Sequence, residues 1–299
     1  MQGTSLRWSA VFALVCLLPL QSIGADVPVV QVTDRDRVFR NFTREAATVG
    51  SGNFRLEVRG MHIEDNDRTR LDLSGFPNDE LEVVVDENGV PIGNNEVDRV
   101  NGGIIDLLGS YGFGDGEAGF IVPFLVQETE FEDGSKITDE DVGDVSLYGK
   151  WTFQVAENCK VAGGVDLTVP TGPESEGLGT GEFSANPFLA SRYQKGRFSL
   201  GAHVGYQIFT GGVDDVLNYS VSAIVRPNSM YAIRLELSGR WFETDDPTLP
   251  FDTEFHDVVF YPGIDFNLAD WFTIRPTGLA NVTDEALDWG VGLGLAVEL

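Results

Sequence analysis

At 299 residues and a formal net charge of −27, the chain has room for one large domain and is far too acidic to seek a phosphate backbone, so nucleic-acid binding is excluded. Its 35 glycines and 20 phenylalanines point to closely packed strands and aromatic girdles.

Residues 1–25 read as a signal peptide. Arg7 supplies the positive start, and the apolar run 11–20 has signal-peptide length, too short to span a bilayer. Small residues near Ser22, Gly24 and Ala25 suit cleavage. Only Cys159 would then remain, so no intrachain disulfide is expected. No later stretch holds the run of about 18 apolar residues that a membrane helix needs, so an exported membrane protein of this sequence must be a closed β-barrel.

Residues 26–52 are polar, with Asp34, Arg35, Asp36, Arg37, Arg40, Arg44 and Glu45. They read either as a periplasmic tail or as a segment folded into a barrel mouth, ahead of a barrel over 53–299. Alternation of large apolar with small or polar residues then marks strand after strand, because a period of two puts alternate side chains on opposite faces. The first is 53–61, with Phe54, Leu56 and Val58 against Arg55, Glu57 and Arg59. An acidic excursion over 64–100 contains a hairpin signal at Asn88-Gly89 and reads as a hairpin outside the membrane or as two further strands. Strands follow at 103–113 and 117–127, then an acidic loop from 128 to 143. Further strands are expected at 144–154, 160–170, 186–194, 197–209, 216–226, 230–242, 255–267 and 271–281.

The closing strand, 287–299, shows the pattern most cleanly: Leu287, Trp289, Val291, Leu293, Leu295, Val297 and Leu299 alternate with Asp288, Gly290, Gly292, Gly294, Ala296 and Glu298. The sum is an all-β, antiparallel transmembrane barrel of about twelve strands. The last strand is expected to pair with the first and remove both sheet edges. Short turns alternate with longer, acidic loops, which places both termini in the periplasm and the chain in a bacterial outer membrane. Outer-membrane lipid, the barrel-assembly machinery and a small-molecule cargo are the expected partners. A soluble β-sandwich is the alternative at the level of fold.

No HExxH or paired-cysteine pattern accompanies His62, His203 and His256, so neither a metal nor another cofactor is expected. Gly112-Phe113-Gly114-Asp115-Gly116 joins two strands and opens no helix, which makes it a turn. His203 lies beside Ser199 on one strand face but lacks an orienting third group, so the chain is not expected to be an enzyme. The candidate site is the inward wall: Arg55, Glu57, Arg59, Asp106, Lys150, Asp166, Arg192, His203, Arg234, Glu236, Arg240, Asp257, Asp265, Arg275 and Asp288. These charges either pair to fill a narrow barrel or form a polar wall that tunes passage.

Several stretches resemble the outer-membrane family named for the meta-pathway of phenol degradation. They are Thr33-Asp34-Arg35 with Gly52-Asn53-Phe54-Arg55-Leu56-Glu57; Ser110-Tyr111-Gly112-Phe113 with Ala118-Gly119-Phe120 and Val122-Pro123; and Gly143-Asp144-Val145-Ser146-Leu147-Tyr148-Gly149-Lys150-Trp151 with Leu167-Thr168-Val169-Pro170-Thr171-Gly172. The sequence departs from that pattern at Asp36, where the family often has proline, and at Leu299, where such barrels commonly end in phenylalanine. The resemblance implies an outer-membrane barrel passing hydrophobic or aromatic compounds and transfers no catalytic residue. A barrel acting structurally or adhesively through its acidic loops is the second functional reading.

Overall fold

The computed structural model describes residues 46–65, 97–131, 136–173, 179–211, 215–244, 253–283 and 289–299. The signal-peptide reading of 1–25, the segment 26–45 and the hairpin at 80–92 lie outside them.

The described residues form thirteen strands: β1 (Phe54–Asp65), β2 (Val97–Phe113), β3 (Gly116–Phe131), β4 (Lys136–Val142), β5 (Val145–Ala156), β6 (Cys159–Val169), β7 (Ser184–Lys195), β8 (Phe198–Phe209), β9 (Val216–Val225), β10 (Tyr231–Thr244), β11 (Thr253–Ala269), β12 (Phe272–Asn281) and β13 (Trp289–Glu298). Neighbours pair antiparallel in one sheet, and the β2–β3 pairing closes it. β4 and β5 line successive halves of β3, so they form one interrupted stave and the wall counts twelve.

The first and last strands pair from Arg55↔Glu298 to Glu64↔Trp289, which removes both edges. Tight turns need glycine where φ is positive: Gly114 (58°) joins β2 to β3 and Gly196 (57°) joins β7 to β8.

The acidic stretch 128–143 is not the loop its composition suggests. Residues 128–130 of β3 pair with 136–138 of β4, making a ribbon with Lys136 Nζ 2.7 Å from Glu128 Oε1. Backbone pairing to an already formed strand outweighs the weak strand preference of Asp and Glu. The stave breaks at Gly143-Asp144, opposite Pro123, whose carbonyl accepts from Gly143 N–H at 2.9 Å. There Asp144 accepts from the N–H groups of Thr171, Gly172 and Thr180 at 3.0, 3.0 and 2.8 Å, tying the next loop to the break.

Polarity is inverted relative to a soluble sheet. Outward side chains are large, apolar and exposed, among them Leu147, Leu189, Ile208, Val221, Leu237, Val291 and Leu293. Inward ones are polar or charged and buried, including Arg55, Glu57, Lys150, Arg192, Arg234 and Glu236. This is the pattern of a barrel whose solvent is lipid. Around the end that carries Leu299, Phe54, Tyr111, Phe113, Trp151, Phe153, Phe198 and Trp271 form an exposed aromatic girdle. Phe113 and Trp151 meet edge to face at 6.1 Å. Tyr206, Trp289 and Phe124 lie on the outer surface toward the other, loop end.

Candidate functional site

The lumen has three parts. The first is a belt of charge on β10, β11, β12 and β1. Arg275 Nη1 donates to Glu57 Oε2 at 2.9 Å, and Arg55 Nη2 lies 3.4 Å from the same oxygen. Asp265 Oδ1 sits 3.7 Å from Arg234 and 3.8 Å from Arg275, and Arg234 Nη2 donates to Thr277 Oγ1 at 2.9 Å. Glu236 is buried two residues beyond Arg234. Arg59 continues the belt to β2, with Nη2 2.6 Å from Asp106 Oδ2. Arg240 pairs with Asp257 nearer the loop end.

The small face of β13 makes this belt possible. Glu57 and Arg275 stand on the two strands flanking it and meet above Gly294. A Cβ there would lie 3.1 Å from Glu57 Oε1 and 3.3 Å from Arg275 Cβ. The alternate glycines of the closing strand therefore leave room for its neighbours' side chains to join across it.

The second part is the chain entering the barrel ahead of β1. Ala46 is fully buried against Ala162 and Ala190, and Val49 is buried too. Thr152 Oγ1 donates to Ala46 O at 2.6 Å, and Lys150 Nζ donates to Ala47 O at 2.8 Å. Glu117 accepts from Val49 N–H at 2.6 Å and from the Tyr148 hydroxyl at 2.7 Å, with Lys150 3.4 Å away. A side chain at Gly112 would strike the Val49 carbonyl oxygen. Residues 46–49 thus lie inside the mouth, and Lys150, expected as wall lining, binds this segment. Glu117 and Tyr148 were absent from the candidate wall residues, although both share the inward parity.

The third part was missed entirely. Toward the loop end the inward face turns apolar: Val259, Tyr261 and Leu279 form a buried cluster with Met61 packed against it. Ile63 and Leu125 are buried alongside, and Ile104, paired with both Met61 and Leu125, links them. The signal was available, since Met61 and Ile63 continue the parity of Arg55, Glu57 and Arg59. Reading inward positions as polar hid them.

Of the remaining candidates, Asp166 accepts from Asn186 Nδ2 at 3.2 Å. Arg192 Nε donates to Ser199 Oγ at 3.1 Å, while His203 packs against Phe188 at 5.5 Å. Ser199 is thus engaged by an arginine on the neighbouring strand. Asp288 lies outside the described residues. Among the described residues, no group of three or more His, Cys, Asp or Glu side chains is placed to hold a metal ion.

These features define a closed, lipid-facing β-barrel whose lumen is partly filled by its own charges and by residues 46–49. No protein-family model and no curated protein matches the chain. Solved structures with a similar course include the NanC porin (10% identity, TM-score 0.48, covering 82% of this chain and 100% of that one). The translocator domain of the autotransporter NalP from Neisseria meningitidis gives 8% identity and a TM-score of 0.47, covering 83% and 88%. A FadL homologue from Pseudomonas aeruginosa gives 10% and 0.43, covering 85% and 91%. These are likenesses of shape, too remote to carry function.

Proposed function

We propose that the protein is an outer-membrane channel for small hydrophobic or aromatic molecules. The carrying observation is the apolar luminal band of Met61, Ile63, Ile104, Leu125, Val259, Tyr261 and Leu279. An ion pore gains nothing from such a lining, whereas an apolar solute is transferred from water onto it favourably. The paired belt beneath it, with Arg234 and Glu236 essentially inaccessible, resists free flow of ions. Residues 46–49 narrow the same lumen at the terminal end. The resemblance to the phenol meta-pathway family points to the same cargo class.

The test is uptake of a radiolabelled monoaromatic hydrocarbon by Gram-negative cells with an intact lipopolysaccharide leaflet, with and without the protein. Phospholipid vesicles are unsuitable, because an apolar solute crosses them unaided. Faster uptake supports the channel, and equal rates overturn it. A heat-modifiable band in the outer-membrane fraction tests the location.

The second reading, a barrel working through acidic surface elements, is favoured by the β3–β4 ribbon, which carries Glu128, Asp139, Glu140 and Asp141 beyond the β3–β5 pairing. Changing Glu128, Asp139, Glu140 and Asp141 to their amides, which removes the charge and keeps the strands, would then abolish the surface phenotype and leave uptake unchanged.

A further inference from the structure

The wall is not equally strong all the way round. In an antiparallel ladder, alternate residue pairs exchange both backbone hydrogen bonds. On the β11–β12 seam Val282 N–H donates to Val258 O at 2.9 Å, which fixes 258↔282 as such a pair. The register Phe260↔Ala280 and Phe266↔Ile274 then makes 262↔278 and 264↔276 the intervening hydrogen-bonded pairs. Pro262 stands in the first and Pro276 in the second. Neither has an N–H, so two successive pairs each lose a donor, one from each strand. Ladder pairing is accordingly interrupted at 261–262 and 264–265 of β11. By contrast, β10–β11, β12–β13 and β8–β9 pair without a break. β7–β8 is interrupted opposite Pro187, but from one strand only.

Two glycines stand at the same height, each covered only by a neighbour's side chain. Gly263 faces the lumen, and Arg234 reaches over it to Thr277, fastening β10 to β12 from inside. A Cβ on Gly263 would lie 2.7 Å from Arg234 Nη2. On the opposite face Gly278 has no side chain, and the Pro262 ring lies over it. Outside, the seam is flanked by exposed Ile264 and Phe266; inside, Tyr261, Leu279 and Val259 begin the apolar band.

We infer that the β11–β12 seam is a side portal through which a small, flat apolar molecule passes between the luminal band and the membrane interior. A cargo soluble in lipid need not cross the charged belt or residues 46–49 if the wall parts above them. Arg234, released from Thr277, is the bolt on this opening. The inference rests on the channel reading for its cargo, but the weakness of the seam is measurable without it.

The first experiment is amide hydrogen exchange on the full protein in lipid nanodiscs. The surviving donors Ile264 and Gly278 are compared with Gly201 and Ser222, mid-strand donors on the β8–β9 seam. Exchange at the weak seam is expected to be about tenfold faster, and equal protection would overturn the portal. The second uses a Cys159→Ser background with F260C/A280C across the portal seam and A202C/V221C across β8–β9. Oxidation of the first pair is expected to cut aromatic uptake to the level of cells lacking the protein, with recovery on reduction, while the second pair has no effect. Both variants are first checked for the heat-modifiable folded band. Unchanged uptake through an oxidised β11–β12 pair overturns the portal while leaving the channel reading standing. A parent protein with no uptake overturns the channel reading and the portal's cargo with it, and exchange then reports on the seam alone.

Discussion

Glu57→Ala is the sharpest probe of the luminal belt. Glu57 is 2% exposed and holds Arg275 at 2.9 Å and Arg55 at 3.4 Å. Truncating it leaves two guanidinium groups in a confined lumen without their shared acceptor. Removing one partner of a buried pair costs about 3–5 kcal/mol. Taking the low end, because Asp265 stands 3.8 Å from Arg275 and can take up part of its charge, the variant should lose about 3 kcal/mol. That is a change of about a hundredfold in the folding equilibrium. The internal control is the Lys136–Glu128 pair, shorter at 2.7 Å but with side chains 46% and 37% exposed. Its loss should cost no more than about 0.5 kcal/mol, since solvent screens it and both long side chains regain freedom. Burial, not distance, decides between the two. The assay is urea unfolding in lipid, following the heat-modifiable band on a cold gel. If Glu57→Ala costs no more than Lys136→Ala, the belt is water-filled and does not hold the lumen closed.

Three further outcomes follow from the same geometry. Gly294→Val should abolish most of the Glu57–Arg275 coupling, so that adding Glu57→Ala to it costs little more, whereas Gly60→Ala, with open space around its Cβ, should leave urea stability unchanged. Glu117→Ala removes the acceptor for Val49 N–H and one of the two partners described for Lys150, so a cysteine at Ala47 should react faster with a polar maleimide than it does in the parent background. Cys159, 5% exposed, should resist the same reagent in the folded barrel and react fully in urea.

The architecture could be read from the chain because a barrel wall is a two-period object. Phe54, Leu56 and Val58 face out and Arg55, Glu57 and Arg59 face in, as their parity requires, and the closing strand meets the first as expected. Side-chain parity holds locally, so it survives without knowledge of partners. What parity does not carry is who meets whom across a third strand. The contact of Glu57 with Arg275 over Gly294 depends on the register of β1, β13 and β12 together. The glycines could be read as a small face but not as a passage for a salt bridge. β4 was hidden for a related reason: Lys136-Ile137-Thr138-Asp139-Glu140-Asp141-Val142 is too acidic to suggest a strand by itself and is made one by β3. The entry of residues 46–49 into the mouth was weighed against a free tail. Ala46 and Ala47 are small enough to enter, but the receiving surface of Ala162 and Ala190 comes from distant strands.

The claim that matters most is that an apolar molecule, and not an ion current, uses this barrel. The direct measurement is the initial rate of monoaromatic hydrocarbon entry into cells with an intact lipopolysaccharide leaflet, for the parent protein against a variant with Met61 and Leu279 both changed to Asp. The account predicts fast entry with the parent and loss of that advantage in the folded variant, because charge replaces the apolar face the cargo rests on. Equal entry in parent, variant and protein-free cells would contradict it.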